Sequence, residues 1–147
     1  MNPTAEKFGY PKTCLAEWAH WAVLLRPAQV TLGSLVLVCR DPAQRFGEIS
    51  REAAAELRDV VAAVEAALAG SLRFDKINYL MLMMVDPDVH FHVIPRYASP
   101  RSYAGHEFAD AAWPGPPDVT RGQALPEAVQ ARLSEELRAR LRGSRSG

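Results

Sequence analysis

The segment DPDVHFHVIPRY, residues 86–97, places Asp88, His90 and His92 at alternate positions among β-branched and aromatic residues. In an extended strand such positions share one face, with side chains about 7 Å apart, close enough for one small ligand to touch all three. Two imidazoles and a carboxylate offer nucleophilic or acid–base chemistry near neutral pH. They also offer half of a metal site, which Asp88 with His20 or His106 could complete. The glutamate that cupin-type metal sites carry a few residues downstream is missing, so metal ranks below phosphate chemistry and no cofactor is expected. The alternation predicts Asp88, His90 and His92 on one open pocket, with Val89 and Phe91 in the core.

Elements to position this strand are legible on both sides of it. WAVLLRP reads as a short buried strand ended by Pro27, and LVLVC, within Ser34–Cys39, as a second bounded by Gly33 and Pro42. Residues 50–70 are the clearest helix, with Ser50 as N-cap, Leu57, Val60, Val61, Val64 and Leu68 at helical spacing, and Gly70 as the stop. KINYLMLMMV is apolar on both faces and reads as a central strand, with Met81, Met83 and Met84 as core filling. Asp86-Pro87 marks a short turn into the histidine strand, which makes the two antiparallel neighbours. PEAVQARLSEELRARLRG gives a last helix with Val129, Leu133, Leu137 and Leu141 as its stripe. Trp18 and Trp21 read as packing anchors. The expectation is an α+β domain over 20–142, with its helices on one side of the sheet and an irregular Pro/Gly-rich segment at 98–124. Residues 1–19 read as an extension over the surface and 143–147 as a disordered tail.

Composition narrows the function classes. The 147 residues carry 17 Lys+Arg against 17 Asp+Glu, so no net field favours nucleic acid or an anionic membrane surface. No apolar run is long enough to span a bilayer, no signal segment is evident at Met1, and the two cysteines fit no disulfide framework or zinc pattern. A cytoplasmic protein is the expectation.

DVHFHVIPR resembles the motif of the histidine-triad (HIT) family, His-φ-His-φ-His-φ-φ with φ apolar. LGSLVLVCRDPAQRFGEIS resembles that family's approach to its first long helix. KINYLMLMMVDPDVHFHVIPR and Trp113-Pro114-Gly115-Pro116 resemble a bacterial branch in which the first triad histidine is Gln, and together these matches span about residues 20–117. The resemblance implies a HIT-like antiparallel sheet, a homodimer, a nucleotide ligand and no metal. It implies that His90 attacks the α-phosphorus to form a nucleotidyl–histidine intermediate, with His92 and Asp88 as the other catalytic positions. Ser34, Asn78, Arg96 and Trp113 become candidates for holding nucleotide or phosphate; for Asn78 the even alternative is to start a strand and for Arg96 to cap a sheet edge with an ion pair, while Lys76 is read as only starting a strand. The implied activity is nucleotide hydrolase, phosphoramidase or nucleotidyl transferase, and the alternatives are a non-catalytic nucleotide binder or a His/Asp metal site. The chain departs from the family at three places: Asp88 replaces the first triad histidine, Ser34 an upstream histidine, and Arg26 stands nearest the ribose-binding asparagine. An ionised Asp88 repels phosphate by about 1 kcal/mol or more unless it is recruited. The expected recruitment is to orient a histidine, to raise the pKa of His90 or His92, or to hold a cation.

Overall fold

The computed structural model describes residues 1–146. The runs WAVLL and LVLVC form β2 (Trp21–Leu25) and β3 (Leu35–Cys39), and every residue of both is buried. Strands apolar on both faces must be covered on both faces, which places them in the middle of a sheet. The sheet has five antiparallel strands in the order β1-β2-β3-β5-β4, completed by β1 (Cys14–Glu17), β4 (Lys76–Leu80) and β5 (His90–Arg96).

One face carries the main core. Trp21, Val23, Leu35, Leu37 and Val93 pack with Val60, Val64 and Leu68 of α2 (Arg51–Leu72) and with Val129, Leu133, Leu137 and Leu141 of α3 (Glu127–Ser146). The opposite face is closed by the chain's own beginning. Ala5, on the short helix α1 (Pro3–Lys7), packs with Leu24, Val36 and Val38, with Phe8, Tyr10 and Cys14 around them. Residues 1–19 are therefore part of the domain rather than an extension, because β1 pairs with β2 and α1 covers apolar sheet surface that would otherwise meet water.

The expected α2 is present. The Ser50 hydroxyl accepts from the Ala53 amide at 3.0 Å, and the helix closes at Arg73 in the left-handed conformation rather than at Gly70. Gly70 lies inside α2, and the space beside it is taken by the Arg140 guanidinium of α3. α3 runs through Ser146, past the expected boundary at 142, since Leu141 anchors its last turns in the core. The predicted tail is helical over 143–146, and Gly147 lies outside the described residues.

β4 is an edge strand and not the central one, and it stops at Leu80. Its partner β5 begins only at His90, so 81–89 form a loop rather than a short turn. Met81 and Met83 pack partly on the core, while Met84 is 87% exposed. Residues 98–124 are less irregular than expected. They contain a hairpin of β6 (Arg101–Tyr103) and β7 (His106–Phe108), turned by Ala104 and Gly105, both at positive φ.

Gly33 enters β3 at φ +89°, and a Cβ there would lie 2.5 Å from Leu72 Cδ1 and 3.3 Å from Leu68 Cδ2. Gly33→Ala should therefore cost about 2 kcal/mol of stability in urea titration, from backbone strain and overpacking together.

Candidate functional site

His90 opens β5 opposite Val38 of β3, and His92 follows opposite Val36 of β3 and Leu80 of β4. The two rings lie side by side on the sheet face away from α2 and α3, with centroids 5.2 Å apart and planes at 80°. Val89 and Val93 are buried in the main core, and Phe91 packs against it. The alternation thus holds.

The two imidazoles are fixed as opposite tautomers. His90 Nδ1 lies 2.6 Å from the Asp88 carbonyl oxygen, which can only accept, so Nδ1 carries a proton and, in the neutral ring, the lone pair is on Nε2. Arg26 Nε can only donate and points at His92 Nδ1 from 3.4 Å, so His92 carries its proton on Nε2. Burial first, then the proximity of His90 and Arg26, lowers the His92 pKa from 6.5 to about 4. The expectation that a histidine is held protonated by Asp88 is overturned for His92. The pair presents one bare nitrogen and one neutral N–H donor, which suits nucleophilic attack assisted by hydrogen bonding.

The Asp88 carboxylate turns elsewhere. Its Oδ2 accepts from the Thr4 hydroxyl at 2.8 Å and from the Thr4 amide at 3.3 Å, while its own amide donates to the Thr4 hydroxyl at 3.3 Å. Asp88 is recruited, but by α1. The histidine is oriented by its backbone carbonyl, which any residue would supply.

The expected open pocket is absent in this conformation. His90 is 1% exposed and His92 6%, under the Phe8 ring at centroid distances of 6.0 and 5.6 Å. A cavity of about 530 Å³ lined by Pro42, Gln44, Arg45, Glu48 and Asp88 reaches the edge of the site, and neither histidine lines it. The reason is apolar coverage: Ala5 and Phe8 lie on the sheet face that the histidines share with Leu24, Val36 and Val38.

The remaining candidates are not brought to the histidines as phosphate ligands. The Ser34 hydroxyl, fully buried, donates to the Thr31 carbonyl at 2.8 Å and accepts the Thr31 amide at 3.0 Å, which closes the turn into β3. Arg96 lies at the far end of β5, roughly 20 Å from His90 at strand rise. It makes a bidentate pair with Asp110 at 2.7 and 3.2 Å and donates to the Gly115 carbonyl and the Asn78 side-chain oxygen. Asn78 and Arg96 thus tie the 110–115 loop to the sheet, because a buried guanidinium takes the carboxylate and carbonyls in reach. Trp113 lies half-buried in that loop, at the Arg96 end of β5. Lys76 does start β4. Among the described residues, no three His, Cys, Asp or Glu side chains converge as metal ligands.

Thr4 and Phe8 are the site neighbours that sequence reasoning passes over. The available signal was Asn2-Pro3, an N-cap followed by a first-turn proline, and Asn2 Oδ1 does accept from the Ala5 amide at 3.0 Å.

Comparison with solved structures accounts for this architecture. A histidine triad protein from Bradyrhizobium japonicum superposes with a TM-score of 0.76 over 96% of both chains at 20% identity. One from Marinobacter aquaeolei VT8 gives 0.74 over 94% of both at 24% identity. The chain has the histidine-triad fold. A third structure, a hypothetical histidine triad nucleotide-binding protein from Sulfolobus tokodaii, gives a TM-score of 0.67 over 89% of this chain and 84% of that one, at 18% identity. No family model matches the sequence, and no curated protein matches it. His90 and His92 stand on β5 of that fold. No helix among the described residues is long and apolar enough to cross a membrane.

Proposed function

We propose that this is a nucleotide-binding histidine-triad protein in which His90 is the nucleophile for nucleotidyl or phosphoryl transfer. The observation that carries the reading is the 2.6 Å hydrogen bond from His90 Nδ1 to the Asp88 carbonyl. It fixes the tautomer of the neutral ring with the lone pair on Nε2 and holds the ring in place, as attack on phosphorus requires. In the reaction, Nε2 forms a bond to the α-phosphorus as the bond to the leaving group breaks. The leaving group departs with its electron pair and takes up a proton. Water then attacks the same phosphorus and gives up a proton to solvent as the P–N bond breaks, which releases the nucleoside monophosphate and returns the electron pair to Nε2. The neutral His92 Nε2–H is the donor assigned to the developing charge. The nucleotide ligand is supported by the fold shared with the Sulfolobus tokodaii protein.

A second reading, a nucleotide binder without turnover, is favoured by the 1% exposure of His90. Intact-mass spectrometry after incubation with nucleotides and nucleoside phosphoramidates separates the two. A wild-type adduct of nucleotidyl mass, mapped to His90 and absent from His90→Ala, supports the enzyme. Ligand-induced thermal stabilisation with no adduct and no released monophosphate supports the binder.

The reading includes a homodimer built on the β4 edge. That strand ends the sheet, and Leu82, Met84 and Val85 beyond it are 47%, 87% and 81% exposed. Met84→Asp should shift the protein to monomer in sedimentation equilibrium, and a monomeric wild type ends the dimer proposal.

A further inference from the structure

The catalytic pair is closed off by a segment whose attachment differs from that of the rest of the fold. α1 has five residues, too few to hold a helix by itself. The polar bonds that hold it to the sheet side are few. They are Asn2 Nδ2 to the Cys39 carbonyl at 3.0 Å, the Thr4–Asp88 cluster, and an exposed Lys7–Asp86 pair at 2.8 Å. Its fully buried apolar side chain is only an alanine, Ala5. Beyond it, Gly9 at φ +94° breaks the helical path; the turn is bridged by the Tyr10 amide donating to the Ala5 carbonyl at 3.0 Å and the Thr13 hydroxyl donating to the Phe8 carbonyl at 2.8 Å, and Thr13 is itself pinned by the Leu25 amide donating to its carbonyl at 2.9 Å. Residues 2–8 therefore form a short unit ahead of a glycine turn, and its opening breaks the two bonds that bridge Gly9.

That unit lies on the atoms the chemistry needs. Phe8 packs on both imidazoles, and Thr4 takes up the carboxylate at the position where the family motif has its first histidine. No ligand can reach His90 Nε2 while His90 is 1% exposed. We infer that residues 2–8 are an autoinhibitory strap, latched by Thr4 to the Asp88 carboxylate and closed by Phe8, which swings about Gly9 to admit a phosphate-bearing ligand to His90 and His92. Asp88 is then a latch. The inference rests on the reading of His90 and His92 as a ligand site, and it explains why a carboxylate is kept beside them. A carboxylate held by two donors from α1 stabilises the closed form, and when bare it disfavours an incoming anion.

Acylation of histidines by diethyl pyrocarbonate tests the strap without any substrate. The full-length protein is labelled and each histidine is read by peptide mass spectrometry, with exposed His106 as the internal standard. In the wild type, His90 and His92 should label at least about a hundredfold more slowly than His106. Thr4→Val, which removes the latch hydroxyl, should speed His90 and His92 about tenfold, the value of a charge-assisted hydrogen bond, and leave His106 and His20 unchanged. Phe8→Ala, which removes the ring but keeps the latch, should speed the same two. Wild-type labelling of His90 as fast as His106 overturns the strap, and so does a Thr4→Val protein with unchanged His90 and His92 rates. Acceleration of all four histidines together also overturns it, since the segment is then part of the global fold. The two proposals fail separately. Labelling that responds to Thr4→Val without any nucleotidyl adduct keeps the strap and removes the enzyme. An adduct that forms equally fast in wild type and Thr4→Val keeps the enzyme and removes the strap.

Discussion

Asp110→Ala should destabilise the protein by about 3–5 kcal/mol, a large fraction of the stability of a domain this size. The side chains of Arg96 and Asp110 are 5% and 2% exposed, and the guanidinium meets both carboxylate oxygens. Asp110 also accepts from the Tyr97 amide at 3.1 Å. Truncation leaves Arg96 buried with two neutral acceptors, the Gly115 carbonyl and Asn78, and frees the 110–115 loop from the sheet. The cost is mostly that of a stranded charge, and it far exceeds the net worth of the intact pair. Asn78→Ala, which removes one neutral acceptor, should cost about 1 kcal/mol. Urea unfolding at pH 7 measures both. A loss below 1 kcal/mol for Asp110→Ala would mean that water hydrates Arg96 readily and that the loop is not held through it.

His92 should make the fold acid-sensitive. Its pKa falls from 6.5 to about 4 on folding, because burial, His90 and Arg26 all oppose the charged ring. Between those values the unfolded chain binds a proton that the folded chain refuses, so stability rises with pH across this window. The contribution is fully present above pH 6.5 and is lost as pH falls towards 4. At about 1.4 kcal/mol per unit, the change amounts to about 3 kcal/mol. His92→Gln keeps an acceptor for Arg26 and cannot be protonated in this range. Unfolding free energies of both proteins from pH 4 to 7.5 give the test as a difference, since other titrating groups cancel. The wild type should lose about 3 kcal/mol more than the variant on acidification. A constant difference would mean that His92 is hydrated in the folded state.

The local signals in this chain were strong wherever one periodicity governed one element. The strand runs around Trp21 and Leu35, the Ser50 cap, the stripe Val129, Leu133, Leu137 and Leu141, and the alternation of His90 and His92 all follow from spacing alone. The sequence was misleading at KINYLMLMMV, because apolar content does not tell a central strand from an edge strand that runs into a loop. It was also misleading at Ser34, and at Asn78 and Arg96 it left a phosphate contact and a structural role equally open. These are polar residues at plausible places, but their partners lie at Thr31 and Asp110, chosen by the fold.

The sequence by itself determined that two histidines and an aspartate alternate along a strand of an α+β domain. Only the tertiary structure decided what each of them does. The tautomers of His90 and His92 depend on which donors and acceptors reach their rings, namely the Asp88 carbonyl and Arg26, the latter 66 residues away. The task of Asp88 depends on Thr4, 84 residues distant. Access depends on a five-residue helix that finds the histidine face because that face is otherwise an uncovered apolar surface. Periodicity encodes which side of a strand a residue takes, whereas hydrogen-bond partners and solvent exposure are set by whatever distant segment comes to cover that side.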